Sequence, residues 1–265
     1  MNIVIPIKQV PDSNKVKMDP ESGTMMREGV EAVVNPLDLY SIQLGVDLKE
    51  KYGASITVIS MGPPKAAKAI REAISMGCDD GILLSDKKFG GSDTWATSYT
   101  IAETIKSLPA YDLVIFGERA TDGDTGQVGP CTAAWLDVPL ASYVASVDAV
   151  TDDSIEVERM VEGGYQKLRL PKPAVLTVVK EIAAPMLPTL SGKKRARRTE
   201  IPTYTAESLP FEDANLGLKG SPTRVVKIRT PKVSREGRVV HATDGEGTEG
   251  ALDELIAYLK EKELV

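Results

Sequence analysis

Three observations predict an α/β fold with a parallel sheet, a β-hairpin and an extended C-terminal arm. Short apolar runs alternate with helix-period segments through the first 140 residues. Two alternating-pattern strands then follow, joined by "EGG" at residues 162–164. Beyond Glu181 the regularity stops, and Pro185, Pro188, Pro202, Pro210, Pro222 and Pro231 punctuate the chain. Strands that alternate with helices imply βαβ units, a parallel sheet and right-handed crossovers.

The elements follow in order. "NIVIPIK" (residues 2–8) is a short apolar run bounded by polar residues, the mark of a buried strand. A polar loop with "DPESGTMMREG" comes next. In "NPLDLYSIQLGVDLKEKYG", Asn35 is a natural N-cap and Pro36 suits the first helical position. Leu37, Tyr40, Leu44 and Leu48 keep helical spacing, and Gly53 suits the C-cap. "ASITVIS" (54–60) is a β-branched strand, and "PPKAAKAIREAISMG" a helix ending at Gly77. "GILLS" is a third strand, residues 94–108 a helix, and "YDLVIFG" a fourth strand. "GGSDT" (90–94) reads as the cap of that helix. Trp95 and Trp135 read as packing residues. "SIEVERMV" and "YQKLRL" form the hairpin, and "AVLTVVK" (174–180) a further buried strand. Residues 1–189 make the α/β domain. Residues 190–265 make an arm with a terminal helix, too poor in apolar periodicity to bury itself and so expected to wrap a partner.

Composition narrows the chemistry. A chain of 265 residues with a net charge of −6 suits one large domain or one with an appendage, and argues against nucleic-acid binding. Cys78 and Cys131 show no ligand spacing, which suits buried thiols in a reducing compartment. His241 is the sole histidine and lies in a polar tail. Zinc, a Ser-His-Asp triad and a histidine base are therefore poor candidates, and a bound cofactor is the natural carrier of any reaction. The N-terminus lacks a basic region before its apolar run, and no stretch reaches the ~20 apolar residues of a membrane span. A soluble, cytoplasmic protein is expected.

"GERATDGDTGQVGP" (117–130) leaves the fourth strand and carries the densest set of small and hydrogen-bonding residues. In an open parallel sheet, ligands bind beyond the carboxyl ends of the strands. Three other segments join that rim: "PIKQV" after the first strand, "NPLD" at the next helix start, and "MGPP" after the second strand. Glycines 117, 123, 126 and 129 let backbone approach a ligand. Thr125, Gly126, Gln127 and Val128 are expected to open a helix whose free N–H groups favour a phosphate. Thr121, Thr125 and Gln127 add neutral donors. Asp122 and Asp124 either cap the helix, hold Arg119 or accept from a ribose hydroxyl. Arg119 either contacts phosphate or flavin, or pairs with Glu118 or Asp122. Lys8 either faces the nucleotide or is solvated. A plain glycine-rich turn with a capped helix fits the composition equally well.

Together these stretches resemble the beta subunit of the electron-transferring flavoproteins. "PIKQVPD", "NPLD", "SMGPP", "REAISMGCDDGILL", "GERATDGDTGQVGP", "VERMVEGGYQKLRLPKPAVLTV" and "LPTLSGKKRARR" occur in the family's order along essentially the whole chain. The resemblance implies a Rossmann-like adenine-nucleotide-binding domain of the HUP type. It implies a heterodimer with a flavin-carrying alpha subunit, embraced by the C-terminal arm. Nucleotide contacts are then expected at Pro6, Ile7 and Lys8, at Asn35, Pro36, Leu37 and Asp38, and at Met61 and Gly62. The remainder fall in the 117–128 loop: Gly117, Glu118, Arg119, Ala120, Thr121, Asp122, Gly123, Asp124, Thr125, Gly126, Gln127 and Val128. In one branch the nucleotide is structural AMP. In the electron-bifurcating branch it is FAD, with NADH as donor and electrons divided between a flavin dehydrogenase and a ferredoxin or flavodoxin. Gly123 and Gly126 stand where AMP-type members carry bulkier, more acidic residues, which favours FAD. The resemblance also makes "LPTLSGKKRARR" a recognition loop that docks the dehydrogenase, with Leu190 as apolar anchor and Lys193, Lys194 and Arg195 beside it. The match to the acyl-CoA-dehydrogenase-binding version ends after Leu190, which leaves the dehydrogenase's identity open. No catalytic side chain and no metal site are expected.

Overall fold

The structure, a computed structural model, describes residues 1–12, 17–18, 25–26, 31–226, 239–242 and 245–265. Most of the polar loop after the first strand lies outside them. Contacts divide the chain into one unit of Met1–Val226 and another of Lys227–Val265. The first holds every strand described.

Strand β1 (Asn2–Ile7) leads through a short ribbon, β2 (Gln9–Pro11) against β5 (Ala32–Val34), to helix α1 (Asp38–Tyr52). A second ribbon, β3 (Lys17–Met18) with β4 (Met25–Met26), lies within that excursion. Next come β6 (Ser55–Met61), α2 (Ala67–Met76), β7 (Asp80–Leu84), α3 (Thr94–Lys106), β8 (Leu113–Gly117) and α4 (Val128–Leu136). Strand β9 (Leu140–Val150) passes into the hairpin β10 (Ser154–Val161) and β11 (Gly164–Pro171), and β12 (Ala174–Val178) returns to the sheet. Helix α5 (Leu190–Arg198), a short β13 (Thr203–Tyr204) and one turn of α6 (Gly217–Gly220) complete this unit. Helix α7 (Gly245–Glu261) belongs to the second.

Among the described residues the main sheet has nine strands in the order β11-β10-β9-β12-β8-β1-β6-β7-β13. All its pairings are parallel except those of β10. The period-two alternation of β1 explains its two packed layers. Ile3, Ile5 and Ile7 join Ile42 of α1 and Ile70 and Ile74 of α2 on one face. Val4 joins Tyr99, Ile101 and Ile105 of α3 and Leu136 of α4 on the other. Each such side chain fully removed from water contributes about 1.5–3 kcal/mol. Trp95 and Trp135 pack the two outer helices together, ring centroids 4.6 Å apart.

Four local expectations need correction. Helix α1 begins at Asp38, with Leu37 at the N-cap in a helical conformation and no side-chain cap. Asn35 is drawn away by a different set of partners, described below. Helix α4 begins at Val128, because Asp124 and Gly126 before it have left-handed φ of 53° and 62°. Residues 190–198 are a helix rather than a loop: Thr189 Oγ1 caps it by accepting from the Gly192 N–H at 2.9 Å. Strand β9, the longest described, had no counterpart in the sequence reading, since small residues interrupt its alternation. The break in contacts falls after Val226, since α5 packs on α2 and residues 203–216 extend both the sheet and the core. Gly53 does cap α1 in the left-handed conformation, and Asp93 caps α3 by accepting from the Trp95 and Ala96 N–H groups.

Candidate functional site

The sheet order creates the site. From β1 the chain moves to one side, through α1 to β6 and through α2 to β7, then returns through α3 to β8 on the other side of β1. Helices α1 and α2 cover one face, α3 and α4 the other. The carboxyl ends of β1 and β8 are therefore a topological switch point, where two connections diverge and leave a crevice. Pro6 and Ile7 end β1 and Gly117 ends β8, so the segments singled out in the sequence sit at this crevice.

Hydrogen bonds tie the segments together. The Lys8 N–H donates to Asp38 Oδ2 at 2.7 Å, and Lys8 Nζ pairs with Asp122 Oδ1 at 2.7 Å. Asn35 Nδ2 donates to the Arg119 carbonyl at 2.9 Å, and Asn35 Oδ1 accepts from the Thr121 N–H at 3.1 Å. Gln9 Nε2 donates to the Lys65 carbonyl at 3.3 Å, linking in the segment after Met61 and Gly62. Gly62 donates its N–H to Leu84 at the end of the neighbouring strand, 3.0 Å away. Pro36 and Leu37 form the tight turn into α1, closed by the Asp38 N–H on the Asn35 carbonyl at 2.9 Å.

The loop after β8 has a definite shape. The Ala120 carbonyl accepts from the Asp124 N–H at 2.8 Å and the Gly123 N–H at 3.3 Å. Arg119 pairs with both Glu118 and Asp124, not with Asp122, which holds Lys8 instead. Gln127 Oε1 accepts from Thr94 Oγ1 at 3.1 Å, leaving its NH2 group as the donor it presents. At the start of α4 the Val128 and Gly129 N–H groups have no intrahelical acceptor, and Pro130 has no N–H at all. Thr94, the first residue of α3, and Gln9, in the segment after β1, also reach this site, although neither carries a contact expectation of its own.

Two glycines are explained by the protein alone. A Cβ on Gly117 would lie 2.5 Å from Asp38 Oδ1 and 2.7 Å from the Leu37 carbonyl oxygen, so only glycine lets β8 end against α1. Gly126 has its positive φ. Gly123 has neither constraint: a Cβ there meets nothing within 4 Å.

The electrostatics are mixed. Asp38 is buried, and burial pushes its carboxyl up to about 7 against the opposing Lys8 N–H, the Asn35 amide and the Lys8 charge, with Asp122 adding to the rise. The Cys78 thiol is pushed up to about 12, chiefly by burial, so it is inert near neutrality. Among the described residues no cluster of His, Cys, Asp or Glu could hold a metal ion. No described helix is long and apolar enough to cross a membrane. Lys8 and Arg119 carry the positive charge at this crevice, each ion-paired with carboxylates of the loop after β8.

The basic run lies apart from this crevice. Arg195 donates to the Ile74 and Cys78 carbonyls at the C-terminal end of α2, at 2.8 and 2.6 Å. Arg71 of α2 answers by donating to the Ala196 and Thr199 carbonyls at the end of α5. Leu190, Lys193 and Lys194 are exposed.

Comparison with known proteins agrees with this geometry. The family model described as "Electron transfer flavoprotein domain" matches residues 22–209. The electron transfer flavoprotein subunit beta of Clostridium acetobutylicum is 45% identical over 240 residues, covering 91% of this chain and 92% of that one. The subunit of the same name from Megasphaera elsdenii is 38% identical over 272 residues, covering 100% of both. The caffeyl-CoA reductase-Etf complex subunit CarD of Acetobacterium woodii is 38% identical over 266 residues, again covering 100% of both. The parallel sheet, the crevice at its switch point and these full-length matches lead to one conclusion: the chain belongs to the electron transfer flavoprotein family, as a beta subunit.

Proposed function

We propose that this beta subunit holds the adenine and pyrophosphate end of FAD in the crevice between β1 and β8, within an electron-bifurcating heterodimer. The observation that carries the choice of FAD is Gly123. Nothing in the fold requires glycine there, and its missing side chain leaves room along the loop for a dinucleotide. The Gln127 amide and the Val128 and Gly129 N–H groups are the donors for the pyrophosphate. Lys8 and Arg119 supply positive charge once their carboxylate partners yield. Bound FAD would supply hydride acceptance and single-electron donation. The complex would then take electrons from NADH and divide them between a flavin dehydrogenase and a low-potential ferredoxin or flavodoxin. The name of the Acetobacterium woodii relative, a subunit of a caffeyl-CoA reductase complex, supports a CoA-ester reductase or dehydrogenase as the first of these acceptors. Exposed Leu190, Lys193 and Lys194 would dock it, with Arg195 anchoring their helix.

The test is nucleotide stoichiometry. The chain is co-expressed with its alpha subunit, and the purified complex is denatured and its released nucleotides are separated. Two FAD and no AMP per heterodimer is the expected result. One FAD and one AMP would assign the crevice to a structural AMP and end the bifurcating reading.

A further inference from the structure

Tyr143 is a bulky residue held at a backbone cost. It lies within β9 at a left-handed φ of 59°, which a side chain of this size disfavours, and it is 47% exposed. Among the described residues no other aromatic ring and no cation packs on its ring. Core packing therefore does not account for it, and strain of this kind gathers where a ligand is held.

Its register puts it on the rim of the crevice. Val178, the last residue of β12, pairs with Gly117 of β8 and with Val144 of β9, so Tyr143 stands level with the carboxyl ends of both strands. The Tyr143 N–H donates to Thr177 Oγ1 at 3.1 Å. Thr177 also packs under the first turn of α4, where a Cβ on Gly129 would come within 2.6 Å of its Cγ2. Buried Thr177 thus joins Tyr143 to the helix start that carries the Val128 and Gly129 N–H groups. The strand order along the rim is β1, β8, β12, β9. A mononucleotide between β1 and β8 ends at α4. A dinucleotide with its pyrophosphate there continues over β12 toward β9, two strand spacings of about 4.8 Å beyond β8. We propose that Tyr143 is the aromatic platform on which the isoalloxazine ring of FAD stacks, and so a residue that selects FAD over AMP. This inference rests on the reading that the crevice holds FAD.

The experiment uses the full chain with its alpha subunit, stripped of nucleotide, as wild type and as Tyr143→Phe, Tyr143→Leu and Tyr143→Gly. It reads binding of FAD and of AMP, the emission of the FAD that AMP displaces, and melting. Tyr143→Leu and Tyr143→Gly are expected to weaken that FAD about tenfold and to leave AMP unchanged. Tyr143→Phe keeps the stack and stays within about threefold. A phenol stacked on a flavin quenches its emission and a phenyl ring does so far less, so the emission rises in Tyr143→Phe although binding is kept. Tyr143→Gly relieves the positive φ and is expected to melt no lower than wild type. Unchanged FAD affinity in Tyr143→Leu, an equal loss of AMP and FAD, or unchanged emission in Tyr143→Phe overturns the proposal with the crevice reading intact. A wild type that binds no FAD in competition with AMP overturns both.

Discussion

Asp38 shows how one side chain makes the crevice sensitive to pH. It is 6% exposed, its Oδ2 receives the Lys8 N–H, and its Oδ1 faces the bare Cα of Gly117. Burial outweighs those contacts and lifts its carboxyl from 3.8 to about 7. Between these values the folded chain keeps a proton that the unfolded chain releases. Its contribution is therefore fully present below about 3.8, falls as pH rises toward 7, and is constant above that. The full span is about 4 kcal/mol. Asn at this position keeps a carbonyl to accept from Lys8 and has no charge to bury. Asp38→Asn is expected to melt well above wild type at pH 8 and close to it at pH 4.5, as followed by circular dichroism. An equal difference at both pH values would show that Asp38 does not ionise in this range.

The pairing of α2 with α5 works at the scale of elements. Each helix end presents carbonyls with acceptor capacity to spare, and each helix supplies an arginine to the other's end. Charged hydrogen bonds of this kind are worth roughly 1.5–3 kcal/mol together with the groups they satisfy. Arg195→Ala is thus expected to lower the unfolding free energy from denaturant titration clearly, whereas Lys193→Ala and Lys194→Ala leave it within about 0.5 kcal/mol. Equal effects from all three would deny Arg195 its capping role. The same pair explains what was legible in the sequence. Helix α2 and strands β1, β6, β7 and β8 announce themselves through apolar periodicity, because each buries a full face in the core. Helix α5 buries only Ala196 and is held by side-chain-to-carbonyl bonds, so its nine residues read as a charge run. The crevice followed a similar division. Its segments were visible as glycine-rich or polar strand ends, but their partners were not. Nothing in "NPLD" distinguishes an asparagine that caps its own helix from one that holds a loop 84 residues away.

Across the whole molecule, the division after Val226 separates two units with different physical needs. The first unit has a two-layered core and closes its own helix ends. The second is built on α7, where Leu252, Leu255, Ile256 and Leu259 follow the i, i+3, i+4, i+7 spacing of an apolar stripe. Leu252 and Leu255 are each 52% exposed and Ile256 is 45% exposed. An apolar stripe of this length on one helix is stable in water only when something covers it, and we propose the alpha subunit as that cover. Burying two leucines contributes about 1.5–3 kcal/mol each. The double substitution Leu252→Asp with Leu255→Asp is therefore expected to weaken association with the alpha subunit by at least about a hundredfold. The melting transition of the first unit should stay unchanged, since its core contains no residue of α7. Co-purification and sedimentation of the co-expressed subunits measure the first effect, and calorimetry of the isolated chain the second. Undiminished association would place the alpha subunit on another surface and leave the α7 stripe to some other contact.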